Sequence, residues 1–94
     1  MNINKSLVEF LGTYISLFII FYTANKYPKY IAPVVGLAFF TVVFLFSEIS
    51  ANFNPAVTFM FVCANKQPKT DLVTLVIPQL FGAYLALCTY KFIK

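Results

Sequence analysis

The chain has 94 residues, of which 61% are hydrophobic, 19% aromatic and only 11% charged, with a mean hydropathy of +0.83. That length allows one domain, and a soluble domain so apolar would have too little polar surface to cover its core, so a membrane protein is expected. The net charge of +4 comes from seven Lys, but Lys5, Lys26, Lys29, Lys66, Lys69, Lys91 and Lys94 all lie outside the apolar runs or at their ends. They read as interfacial lysines that reach for the membrane surface and lipid headgroups, not as a nucleic-acid patch.

The first apolar run spans residues 7–24 and carries one charge, Glu9. It lacks the basic start and small-residue cleavage site of a signal peptide and is kept as structure. It ends at the turn "NKYPKY". The second run, residues 30–49, is long enough to span, with Pro33 near its start and Glu48, expected to be interfacial, near its end. A short run at 55–64 follows, opened by Asn54-Pro55-Ala56 and closed by "NKQPK". The third long run covers 70–93, with Thr70 and Asp71 suited to a helix start and Pro78 expected to kink it. The expected fold is a single all-α membrane domain of three transmembrane helices plus one re-entrant half-helix. No run alternates with the period of a barrel strand.

Ten residues of helix rise ~15 Å, about half of a ~30 Å hydrocarbon core. Asn54 is a good N-cap, and Pro55 at the first helical position loses no hydrogen bond. A helix start at mid-membrane leaves backbone N–H groups that lipid cannot satisfy, so the turn must pack inside protein or beside a water-filled path. The positive end of the half-helix would then point at the membrane centre and repel cations and protons. With its oxygen used in capping, Asn54 keeps N–H donors for a passing solute. Glu9, an intramembrane acid, is a candidate functional residue. Gln79, a polar residue inside the third run, is read as an interhelical hydrogen-bonding residue.

Cys63 and Cys88 lie in apolar runs and are expected to be free thiols, and the chain has no His. Neither a metal-ligand spacing, nor a nucleophile–base pair, nor a phosphate loop is present, so no enzyme, metal or cofactor is expected. The sequon at Asn4 adjoins a membrane segment and is read as chance.

Three ordered motifs resemble the first half of the major intrinsic protein, or aquaporin, family. "EFLGTYISLFIIF" at 9–21 is similar to the start of its first helix. "ISANFNPAVT" at 49–58 resembles the "ISGAHxNPAVT" loop and half-helix, and "PQLFGAYLA" at 78–86 resembles the "AQxxGAxxA" of the third helix. The likeness covers essentially the whole chain. It implies a passive channel for water or small neutral solutes such as glycerol, built from two halves related by an inverted two-fold. Asn54 would be the pore donor, and Pro55 and Ala56 the turn that locks two half-helices together. Glu9 would accept bonds from the re-entrant loop and Gln79 would brace it. Gly12, Gly82 and Ala83 would be close helix contacts. The chain departs from the family pattern in its loop, which lacks one residue and has Asn52 where His is usual, in Glu48 so near the turn, and above all in having only half the fold. The resemblance places a filter Arg after the second Asn-Pro-Ala of the family; in a pore made of two copies of this chain that position is Val57 in both, with Val35 as the expected second-helix filter position.

One such half cannot close a pore. The simplest completion is an inverted copy, and the lysines permit it. Lys5, Lys66 and Lys69 are expected on one side and Lys26, Lys29, Lys91 and Lys94 on the other, almost no bias of orientation. The expectation is therefore a multi-pass protein inserting both ways, an antiparallel homodimer with one pore, and, by analogy, four dimers as an octamer. The start, three clean spans and basic end speak against a random truncation. The alternatives are a non-conducting truncated form or a subunit that pairs with a different half or modulates a full channel, and a small inverted-dimer antiporter with Glu9 titrating in the solute path.

Overall fold

A computed structural model describes residues 3–94. It is all-helical among these residues. Helix α1 runs Ile3–Lys26, a short 3₁₀ turn covers Pro28–Tyr30, and α2 runs Ile31–Phe46. Helix α3 is Pro55–Cys63, α4 is Asp71–Thr74 and α5 is Val76–Ile93. Three stretches are long and apolar enough to cross a membrane: Asn4–Lys26, Pro28–Phe46 and Asp71–Ile93. The bundle is 39 Å along its longest axis, enough for a hydrocarbon core of ~30 Å with both interfaces.

Helices α1 and α5 form the main packing unit and run parallel. Ser6 meets Thr74 near one end, and Tyr22 meets Tyr90 near the other, ring centroids 6.1 Å apart. Gly82 permits the approach: a Cβ there would lie 2.7 Å from the Phe10 carbonyl oxygen and 3.1 Å from the Tyr14 nitrogen. Ala83 is half-buried beside it. Small residues at such a crossing let the backbones close together, which is how helices associate in a lipid solvent that gives them no hydrophobic drive. Helix α2 is held more loosely and buries only Ala38 and Val42. One apolar cluster joins the buried Val8, Val42 and Phe53, flanked by Phe39, Phe46 and Ala51.

The third span breaks at Leu75, one turn before Pro78, the residue expected from sequence to kink it. The reason lies in the proline's missing N–H, which would have bonded the carbonyl four residues back. That carbonyl belongs to Thr74, and the Ser6 hydroxyl donates to it instead at 2.7 Å. Thr70 makes no side-chain cap. The helix is started by turns from Pro68, with the Asp71 N–H donating to the Pro68 carbonyl and the Leu72 N–H to that of Lys69. The second span also stops earlier than its apolar run, at Phe46, and 47–49 form a turn on which Glu48 is exposed.

Candidate functional site

The chain re-enters the bundle at Ser50 and turns at Asn54. Asn54 is extended (φ −160°, ψ 123°), and its side-chain oxygen accepts the Ala56 N–H at 2.8 Å. This capping leaves the amide N–H donors of Asn54 uncommitted, and Asn54, Pro55 and Ala56 are all exposed. Nine residues of α3 rise ~14 Å, so the turn lies about half a hydrocarbon thickness below the end that carries Lys66 and Lys69. Ala56, Phe59, Met60 and Cys63 make one exposed stripe of α3, whereas Thr58 and Val62 on the opposite side are buried. Val57 and Val35 are half-buried.

Glu9 organises the loop behind this turn. It is 0% exposed and accepts four hydrogen bonds. Oε2 takes the Ser50 hydroxyl at 2.5 Å and the Asn52 N–H at 2.8 Å. Oε1 takes the Phe53 N–H at 2.7 Å and the Gln79 amide at 2.7 Å. A carboxylate accepts at both oxygens, and a buried one must be met by donors in this way. Three of the donors come from the re-entrant loop and the fourth from α5, so Glu9 joins α1 to both. Gln79 also donates to the Thr58 hydroxyl at 3.1 Å. Its own Oε1 accepts nothing, the consequence of turning its donor group towards the carboxylate.

Phe53 shows what this anchoring holds in place. Its φ is +52°, a left-handed conformation that costs a non-glycine residue roughly 1–2 kcal/mol. The Glu9 bond to its N–H and burial of its ring offset that cost. The ring packs over Gly12, where any Cβ would collide with it, and edge-on to Phe46 at 6.4 Å. Gly12 is therefore a seat for a loop side chain and not, as expected from the sequence, a helix–helix contact.

A second polar chain runs from the loop to the end of the bundle. The Asn52 amide donates to Thr58 Oγ1 at 3.0 Å and to Gln67 Oε1 at 2.9 Å. The Gln67 amide donates to Asp71 at 2.7 Å, which pairs with Lys5 at 2.9 Å. Thr58 donates back to the Asn54 carbonyl at 3.3 Å. The backbone of Asn54 is thus tied, link by link, to the starts of α1 and α4. Sequence reading singled out Glu9 and Gln79 but not Ser50, Thr58, Gln67 or the Lys5–Asp71 pair. Their one sequence signal is a concentration of polar residues on either side of the short run. Cys63 and Cys88 are free, and no cluster of metal-binding side chains occurs among the described residues.

The family model described as major intrinsic protein matches residues 1–94. A curated relative, Aquaporin NIP1-1 of Zea mays, is 35% identical over 98 aligned positions, covering 95% of this chain and 35% of the relative. The chain therefore spans about a third of the length of that relative. No solved structure matches it at a significant level.

Proposed function

The chain belongs to the major intrinsic protein family and is an integral membrane protein with three apolar spans, and from that premise we propose that it acts as a passive channel for water and small neutral solutes such as glycerol. The pore is completed by a second, inverted copy whose Asn-Pro-Ala turn meets the first at mid-membrane. The observation that carries this reading is the turn itself. Asn54, Pro55 and Ala56 stand exposed at half the membrane's depth, with Asn54 capped so that its amide donors are free. Lipid satisfies neither those donors nor the free N–H groups of the first turn of α3, so a polar path and a partner surface are required there.

In this arrangement the helix starts and Asn54 supply the positive potential that excludes protons and cations. Val57 and Val35 form an apolar filter, which discriminates less among small neutral solutes than a charged one. An antiporter mechanism finds no support in the position of Glu9, which is enclosed by four donors and away from any exposed surface. The test is stopped-flow osmotic shrinkage of vesicles holding only the purified chain, beside empty vesicles and the Asn54→Asp variant. Fast shrinkage with weak temperature dependence, reduced in the variant, is expected. Shrinkage no faster than that of empty vesicles overturns the self-sufficient pore.

A further inference from the structure

The two ends of the bundle differ in a way that a count of lysines hides. Lys5, Lys66 and Lys69 share one end with Glu48 and Asp71, three cations against two anions, for a net +1. Lys5 is engaged there, with Asp71 at 2.9 Å. The opposite end holds Lys26, Lys29, Lys91 and Lys94 with no acidic residue, a net +4. The fold gathers these four lysines. Tyr90 lies 5.0 Å from the Phe21 ring and 6.1 Å from the Tyr22 ring. One further turn of each parallel helix therefore brings Lys26 and Lys94 to the same level. Lys91 is in the last turn of α5, and Lys29 follows in the 3₁₀ turn with its Nζ 5.3 Å from the centre of the Tyr30 ring.

All four lysines are exposed. Tyr27, Tyr30 and Phe92 are exposed around them, an aromatic belt of the kind that sits at headgroup depth. The bland role for such lysines is to neutralise helix C-termini. Each terminus carries roughly half a negative charge, so α1 and α5 together account for about one of the four positive charges. The rest have no acidic side chain at this end to pair with among the described residues.

We propose that this end is a docking surface for anionic lipid headgroups, with the lysines on the phosphates and the aromatic rings at the level of the glycerol backbone. The inference stands apart from the pore reading, since it concerns the outer rim and not the turn. In an inverted dimer it places one such rim at each membrane face.

The test uses the full chain, delipidated in mild detergent and titrated with phosphatidylglycerol or phosphatidylcholine, with bound lipid counted by native mass spectrometry. The wild type is expected to prefer the anionic lipid on the order of tenfold, a preference that falls as salt is added. Replacing Lys26, Lys29, Lys91 and Lys94 together by Gln removes the preference, and replacing the same four by Arg preserves it. Lys66→Gln with Lys69→Gln leaves most of the preference in place, since both lysines lie at the other end, beside Glu48 and Asp71. A wild type without preference overturns the proposal, as does a Gln variant that keeps it or an Arg variant that loses it. An equal loss from substitution at the other end also overturns it, because net charge alone would then explain the binding.

Discussion

Replacing Glu9 by Gln removes one oxygen and one charge while leaving size and shape almost unchanged. The four donors aimed at Glu9 make the consequence large. An amide offers a single acceptor oxygen. Whichever way it turns, its NH₂ faces either Ser50 and Asn52 or Phe53 and Gln79, and two buried donors lose their acceptor. Each such loss costs about 1–3 kcal/mol, so the variant should be destabilised by about 2–6 kcal/mol, towards the lower end if the Ser50 hydroxyl rotates away. Either orientation leaves one backbone N–H of the loop, that of Asn52 or that of the left-handed Phe53, without its acceptor, so the turn before Asn54 should loosen before the spans separate. The assay pairs thermal unfolding in detergent with vesicle shrinkage. A large drop in stability and water flux near that of empty vesicles are expected. A Glu9→Gln variant as stable and as permeable as the wild type would refute the reasoning, because it would mean that a neutral group fills the site equally well.

Four further outcomes follow from named contacts. Gly12→Ala should destabilise by about 1–3 kcal/mol, because its methyl group enters the space of the Phe53 ring; Phe53→Ala in the same chain should recover part of the loss in thermal unfolding. Ser6→Ala leaves the Thr74 carbonyl without its donor and should cost about 1–3 kcal/mol, with faster amide exchange around Leu75. Asn52→Leu removes both amide bonds to Thr58 and Gln67; flux should fall while helix content by circular dichroism stays unchanged, and Asn52→Gln should restore part of it. Val57→Arg should slow glycerol more than water in the same vesicles, and an unchanged ratio would remove Val57 from the filter.

The parts of this molecule set by local chemistry were legible in the sequence. Apolar run lengths place the three spans, and Asn54 followed by Pro55 places the start of α3, because capping and the missing proline N–H act within one turn. Local chemistry does not report contacts distant in sequence, and the bonds from the loop to Glu9 are expected only through the family resemblance. Glu9 meets Ser50, Asn52, Phe53 and Gln79 across 41 to 70 positions, and Lys5 meets Asp71 across 66. No periodicity reports such pairs. The kink expected from Pro78 falls at Leu75, because the proline acts on the carbonyl a turn earlier and Ser6 stabilises the break from another helix. Gly12 was read as a helix contact because small residues usually have that role in membranes, whereas the loop's Phe53 occupies the space. The left-handed φ of Phe53 has no signal of its own, since its ring seat and its Glu9 bond both come from α1.

The central claim is that two copies of this chain meet at their exposed turns and share one pore. It is tested most directly by Ala56→Cys in a background carrying Cys63→Ser and Cys88→Ser, reconstituted in vesicles and oxidised. The account predicts a covalent dimer on a non-reducing gel and a matching loss of water flux, both reversed by reductant. Water flux in the reduced vesicles with no dimer on oxidation, or a dimer whose formation leaves the flux unchanged, would contradict it.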